Sequence, residues 1–190
     1  STGGAYITQF EENIAQYVNN DGAVACQSGT AAIHLALMES GVKENEEVIV
    51  PTLTFIAAVN PVKYCKAFPV FMDCDDSLTI DPVKLEEFCE NECELIDGIL
   101  VNKKSKRNIK AIIIVHVFGN LADMEKIMKV AQKYNLKVIE DATEALGSYY
   151  KEGKYKGKFS GTIGDFGCYS FNGNKIITTG GGGMCVAKNM

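Results

Sequence analysis

Short apolar runs bounded by turn residues alternate along the chain with segments whose apolar residues recur at helical spacing. Strands are predicted at 23–26, 48–50, 69–72, 111–117 and 137–139. Helices are predicted at 28–40, 55–64, 81–91 and 124–134, and the third begins with Asp81 as its cap and Pro82 in its first turn. This alternation predicts an α/β fold with a mostly parallel central sheet and helices on both faces.

The pattern changes after the strand that runs into Glu140 and Asp141. Strands are predicted at 164–171 and 184–187, joined by Gly-rich turns that leave no room for a helix. The segment 94–108 is predicted to be a solvated loop, because 103–107 carries four cations in five residues. The segment 151–158 contains four lysines and is predicted to be an exposed hairpin, with a flap near an anionic substrate as the alternative.

Charge and composition exclude several classes of protein. The 190 residues include 19 Lys and Arg against 24 Asp and Glu, so the formal net charge of −5 argues against binding to a nucleic-acid backbone. No apolar run approaches the roughly 20 residues that cross a bilayer, so no membrane association is expected. The seven cysteines are expected to be reduced thiols in a cytoplasm, and Cys89 with Cys93 lacks the second pair that a metal site needs.

Two candidate sites lie at predicted junctions between strands and helices. Ser28, Gly29 and Thr30 stand where a strand ends and a helix begins, so free N–H groups, hydroxyls and the helix dipole suit a phosphate there. An ordinary serine cap is the alternative. Glu140 and Asp141 close a strand at the edge where α/β sheets bind their ligands, with a helix-capping carboxylate as the alternative.

A third candidate is Lys175, which lies between Gly-flanked turns in the stretch SFNGNK. An amine in such surroundings can lose hydration and form a Schiff base, although a surface lysine is the alternative. A phosphate cradle, a carboxylate and an amine together are what pyridoxal 5′-phosphate requires from a protein. The three candidates therefore suggest one cofactor site.

Four motifs carry a resemblance to a known family: SGTAAIHLAL, PTLTFIAAV, EDATEALGS and SFNGNKIITTGGGG. In this order they resemble the motifs of the DegT/DnrJ/EryC1/StrS sugar aminotransferases, which use pyridoxal 5′-phosphate and have the aspartate-aminotransferase fold (fold type I). The resemblance implies that Lys175 is the Schiff-base lysine and that Asp141 is the partner of the pyridine nitrogen. It also implies that Gly29, Thr30 and Ser170 hold the phosphate.

Further roles follow from the same resemblance. Phe55 is expected to lie against the cofactor ring, and Asn172 to bind substrate. Glu144 occupies a position where many relatives carry Gln or His to contact the phenolate oxygen of the cofactor. A carboxylate beside a phenolate repels it unless one of them is protonated, so Glu144 either contacts the cofactor or approaches the substrate. A dehydrating branch of the family carries His in place of Lys175, which favours transamination here.

A finer resemblance is to enzymes that aminate the 4-keto group of a UDP-4-keto-6-deoxy-N-acetylhexosamine for bacterial surface glycans, with L-glutamate as donor. The alternatives are a C3-specific nucleotide-sugar aminotransferase of the family, a regulator, or a non-enzymatic nucleotide-binding α/β module. Neither G-x-G-x-x-G nor G-x-x-x-x-G-K-[ST] is present to support the last of these.

The resemblance also concerns organisation and partners. It implies that residues 1–190 form the cofactor-binding large domain, without the family's smaller C-terminal domain, and that the protein is a homodimer with its site at the interface. His116, near the end of the predicted strand 111–117, is expected to be a structural histidine rather than a catalytic one. His34 is expected to pack within its helix layer.

Overall fold

A nine-stranded sheet runs through the protein, which a computed structural model describes over residues 4–188. The strands are β1 (Ala23–Cys26), β2 (Glu47–Pro51), β3 (Phe68–Met72), β4 (Cys93–Ile96), β5 (Ile99–Asn102), β6 (Asn108–Val115), β7 (Lys137–Asp141), β8 (Phe166–Ser170) and β9 (Gly183–Ala187). The main order is β1-β9-β8-β7-β6-β2-β3, and β5 joins β6 as a side branch with β4. The pairs along β8-β7-β6-β2-β3 are parallel, whereas β9 is antiparallel to both neighbours. The sequence predicts a domain over residues 1–190, of which 1–3 and 189–190 lie outside the part of the chain that the structure describes.

Five helices cover the sheet: α1 (Ala5–Val18), α2 (Gly29–Glu39), α3 (Asn60–Tyr64), α4 (Pro82–Asn91) and α5 (Met124–Lys133). Successive residues of β6 face opposite sides, because side chains alternate along a strand. Ala111 and Ile113 belong to the core cluster that contains α2 and α3, and Ile112 and Ile114 to the cluster that contains α4 and α5. The prediction of a mostly parallel sheet with helices on both faces is confirmed.

The first helix, α1, was not predicted. Ile14 and Val18 are buried in a third core cluster, together with residues of β8 and β9. Beside them, Oε1 of Glu11 accepts a hydrogen bond from the backbone N–H of Ala25 over 2.8 Å. That N–H belongs to β1, the last strand at one end of the main sheet order, so the helix satisfies a donor that the sheet leaves unpaired.

The prediction of a loop at 94–108 is wrong in its first half. β4 and β5 form an antiparallel hairpin, and Asp97 and Gly98 make its turn with φ of 50° and 78°. Positive φ at both central residues is typical of the type I′ turn, for which Asp-Gly is a favoured sequence. The four cations at 103–107 follow the hairpin, whose own signals are the alternating apolar residues and the Asp-Gly pair.

Two further segments refine the sequence prediction. The helix predicted at 55–64 is divided into a 3₁₀ turn at Ile56–Ala58 and the short α3, in whose first turn Pro61 lies. The exposed hairpin predicted at 151–158 is confirmed, because Tyr149 and Phe159 form an antiparallel bridge at its base. Among the helices of residues 4–188, none is both long and apolar enough to span a membrane.

Candidate active site

One cavity of about 230 Å³ lies where the carboxyl ends of β6, β7 and β8 meet the start of α2. Its volume is close to the lower end of small-molecule sites, which is roughly 300 Å³. The residues to which the family resemblance assigns a role all line it: Gly29, Thr30, Phe55, Asp141, Glu144, Ser170, Asn172 and Lys175. Glu140, the other member of the second candidate site, is not among the lining residues. The structure thus brings together residues that are up to 146 positions apart, from 29 to 175.

The start of α2 forms one wall of the cavity. Ser28 is the N-cap, and its Oγ accepts a hydrogen bond from the N–H of Ala31 over 3.1 Å. The serine is therefore an ordinary cap as well as a cavity residue. The early N–H groups of a helix have no partner within the helix, so this wall is suited to an anion.

Gly29 allows the helix to approach the ends of β7 and β8. A Cβ added at this position would lie 2.8 Å from Cγ2 of Thr143 and 2.9 Å from Cβ of Ser170. Both distances are too short for carbon atoms, so any larger residue would push α2 away from the sheet. The sequence motif contains glycine at this point because two neighbouring side chains already fill the space.

Asp141 ends β7 and forms the floor of the cavity. Its side chain is buried, and Oδ1 accepts a hydrogen bond from the N–H of Thr143 over 3.0 Å. Burial raises the pKa of the Asp141 carboxyl, although hydrogen bonds from Thr143 and the charges of His116 and Lys175 oppose the rise. A positively charged group beside this carboxylate would offset the cost of its burial.

His116 and Glu140 form a buried pair next to Asp141. Nε2 of His116 lies 2.8 Å from Oε2 of Glu140, and Nδ1 accepts a hydrogen bond from the N–H of Ala122, which assigns the proton to Nε2. The N–H groups of three further residues donate to the same carboxylate: Gly161, Ile163 and Gly164. Although burial opposes it, the bond from His116 and the backbone donors hold the pKa of Glu140 below its usual range. Both ring nitrogens of His116 are hydrogen-bonded, as expected of a structural histidine, and the residue also lines the cavity.

Lys175 enters the cavity from a turn that follows β8. The backbone N–H of Lys175 donates to the carbonyl of Asn172 over 3.0 Å, and the amide of Asn172 donates to Oδ1 of Asn174. Only 16% of the lysine side chain is exposed. Its Nζ lies 3.6 Å from Oε1 of Glu144, so an ammonium and a carboxylate face each other inside the site.

Two residues of the site were missed by the sequence interpretation. Thr143 supplies the hydrogen bond to Asp141, and its position inside the EDATEALGS motif was the signal that could have found it. Phe118 donates its backbone N–H to Oε2 of Glu144 over 3.0 Å. It does so with φ of 55°, a conformation that the sequence gives no reason to expect for phenylalanine.

The donor set of this cavity fits pyridoxal 5′-phosphate. A buried carboxylate suits a protonated ring nitrogen, a largely buried lysine suits an aldehyde, and a helix N-terminus suits a phosphate. The flat side chain of Phe55 stands at the rim and is 75% exposed, so it is free to cover a ring. The fold and the site define the class of enzymes that use this cofactor on a mostly parallel α/β sheet.

Comparisons with known proteins agree with that class. GDP-perosamine synthase of Caulobacter vibrioides is 44% identical over 190 residues, which cover 100% of this chain and 46% of that protein. UDP-4-amino-4,6-dideoxy-N-acetyl-beta-L-altrosamine transaminase of Campylobacter jejuni is 36% identical over 188 residues, with 99% and 45% covered. The solved aminotransferase of Psychrobacter cryohalolentis superposes with a TM-score of 0.82 at 36% identity, over 98% of this chain and 42% of that one.

The chain belongs to the DegT/DnrJ/EryC1/StrS aminotransferase family, whose model matches residues 1–190. The fold-type-I architecture and the family resemblance predicted from the motifs are confirmed, and the family's aminotransferases depend on pyridoxal 5′-phosphate. The chain spans less than half the length of the relatives that it matches.

Proposed function

We propose that this chain is the cofactor-binding part of an aminotransferase that moves an amino group from L-glutamate to the 4-keto carbon of a nucleotide-linked 6-deoxyhexose. The observation that carries the proposal is the cavity in which Lys175, Asp141 and the start of α2 meet. The product would be an amino sugar for a bacterial surface glycan, made in the cytoplasm.

The side chains have separate tasks in this proposal. Pyridoxal 5′-phosphate, when bound, supplies an aldehyde that takes up amines and a ring that accepts electrons. Asp141 would hold the protonated ring nitrogen, and the N–H groups at the start of α2, with Thr30 and Ser170, would bind the phosphate. The amine of Lys175 would hold the aldehyde carbon of the cofactor, and the same amine would carry a proton from the α-carbon of L-glutamate to that carbon.

Two nucleotide sugars are candidates for the acceptor. The motifs favour a UDP-4-keto-6-deoxy-N-acetylhexosamine, and the Campylobacter relative named for a UDP sugar supports that choice. The higher identity to GDP-perosamine synthase, 44% against 36%, favours a GDP-linked sugar as the second candidate. A ketone at C4 is common to both candidates.

Incubation of the full-length protein with each 4-keto sugar nucleotide and L-glutamate tests the proposal. Mass spectrometry of the products is expected to show amination of one nucleotide sugar, and the position of the nitrogen separates C4 from C3. Reduction with borohydride, followed by peptide mapping, is expected to place the cofactor on Lys175. Failure to label any lysine, with a nucleotide bound instead, would favour the non-enzymatic nucleotide-binding module.

We also propose that the protein works as a homodimer. Large apolar side chains next to the cavity are exposed: Phe55 by 75%, Ile56 by 62%, Phe118 by 77% and Ile176 by 67%. Exposed apolar side chains near a ligand cavity are typical of surfaces that another protein covers, and in this proposal a second copy of the chain covers them. Light scattering of the full-length protein is expected to give twice the monomer mass, and a monomer mass would contradict this part of the proposal.

A further inference from the structure

Glu144 is held in place by a backbone donor rather than by another side chain. Its Oε2 accepts the N–H of Phe118 over 3.0 Å, which leaves Oε1 directed at Nζ of Lys175, 3.6 Å away. Phe118 makes this bond in a left-handed conformation that costs energy for a residue with a side chain. A sparsely populated conformation at the cavity suggests that the placement of this carboxylate is functional.

The charges around Lys175 are few. The ionisable side chains that line the cavity are His116, Asp141, Glu144 and Lys175. The imidazole of His116 is committed to Glu140 and to the N–H of Ala122, and Asp141 accepts hydrogen bonds from Thr143. Within residues 4–188, Glu144 is the carboxylate found within 4.0 Å of Nζ of Lys175.

We infer that Glu144 is the charge partner of the Lys175 nitrogen and stabilises the positive charge on that nitrogen once the cofactor is attached to it. This inference rests on the proposed function. A carboxylate stabilises a positive charge at short range most strongly where water is partly excluded. Here 16% of the lysine and 35% of the glutamate side chain are exposed, so the pair is only partly screened.

A positive charge at Nζ of Lys175 would also offset the repulsion between the Glu144 carboxylate and the phenolate of a bound cofactor. A cofactor attached through a protonated nitrogen is also the form that amines attack most readily. Glu144 would therefore raise the pH up to which the lysine-bound cofactor keeps its protonated, reactive form.

The test is a pH titration of the absorbance of the lysine-bound cofactor in the full-length protein without substrates. In Glu144→Gln the amide oxygen still accepts the N–H of Phe118, so the substitution removes the charge and leaves that contact. Loss of a carboxylate beside a positive group shifts a titration by about 1 to 3 pH units. We expect the midpoint of the spectral change to move down by at least about one unit.

Two further variants complete the test. Glu144→Asp keeps the charge with a shorter reach, and its midpoint is expected between those of Glu144→Gln and the unchanged protein. Glu87→Gln, an exposed glutamate on α4 outside the cavity, is expected to leave the midpoint unchanged. A midpoint in Glu144→Gln equal to or above that of the unchanged protein, with cofactor bound in both, overturns the inference and leaves the proposed function standing. Absence of lysine-bound cofactor in the unchanged protein overturns both.

Discussion

Nε2 of His116 lies 2.8 Å from Oε2 of Glu140, and the two side chains are completely buried beside the strand end that carries Asp141. The carboxylate also accepts hydrogen bonds from backbone N–H groups of the turn at 161–164. This pair therefore ties three parts of the chain together directly behind the cavity: the end of β6, the end of β7 and the turn before β8. A buried carboxylate that is so well bonded stabilises the fold only while it stays ionised.

Glu140→Gln is expected to lower the free energy of unfolding by about 2 kcal/mol at neutral pH. The amide keeps one acceptor oxygen, but its NH₂ group cannot accept the hydrogen bonds that the backbone N–H groups donate to the carboxylate. Because the pKa of Glu140 is lower in the folded state than in the unfolded state, its stabilisation is present above the unfolded pKa. That stabilisation is lost as the pH falls through the folded pKa.

Denaturant titrations at neutral and at acid pH check this prediction. The difference between Glu140→Gln and the unchanged protein is expected to shrink as the solution is acidified. Glu94→Gln, on the exposed part of β4, is the matched control. An equal difference at both pH values would show that ionisation of Glu140 is not the source of the stabilisation.

Asp141→Asn is expected to stabilise the cofactor-free protein at neutral pH, by about 1 kcal/mol. Burial raises the pKa of the carboxyl, so the folded state favours its neutral form, and the ionised group becomes a cost as the pH rises above the unfolded pKa. The same substitution is expected to weaken cofactor binding, because a neutral amide does not attract a protonated ring nitrogen.

Thermal unfolding with and without pyridoxal 5′-phosphate separates the two effects of Asp141→Asn. Without cofactor, the variant is expected to unfold at a higher temperature than the unchanged protein. When cofactor is added, the unfolding temperature of the variant is expected to rise by less. An equal rise in both proteins would show that Asp141 does not have its proposed role.

Lys175→Ala is expected to abolish the absorbance of the lysine-bound cofactor and to lower transamination by at least about 10³-fold. The alanine variant has no amine at the centre of the cavity, so the cofactor can be held only by non-covalent contacts. Absorbance spectra and product formation measure the two effects. The control is Lys151→Ala on the exposed hairpin, and an intact lysine-bound spectrum in Lys175→Ala would assign the cofactor to another lysine.

Gly29→Ala is expected to cost about 1 to 3 kcal/mol of stability and to weaken binding of pyridoxal 5′-phosphate. The new methyl group would meet Thr143 and Ser170 at distances below 3.0 Å, so α2 must move away from the sheet. Gly181→Ala is the control, since a Cβ there meets nothing within 4 Å. Denaturation and cofactor titration of both variants check the prediction, which fails if the two alanines behave alike.

The sequence predicts seven of the nine strands, four of the five helices and the cavity residues to which the family resemblance assigns a role. Asp141 and Lys175 could be found because each ends or follows a strongly patterned strand and lies in a motif with a chemical purpose. The contact between Phe118 and Glu144 could not be found, because a backbone amide makes it in a conformation that side-chain patterns do not encode. The hairpin of β4 and β5 is not predicted from charge, because the cations at 103–107 lie outside it and its signal is the Asp-Gly pair.

The bond from Glu11 to the N–H of Ala25 has a consequence for how the protein behaves in concentrated solution. An open strand edge is a template onto which a strand of another molecule can add, and repeated addition leads to fibres or amorphous precipitate. With α1 in place, part of that template is occupied by a carboxylate that repels further negatively charged chains. Variants of the protein from which the residues up to Val18 are deleted are therefore expected to self-associate.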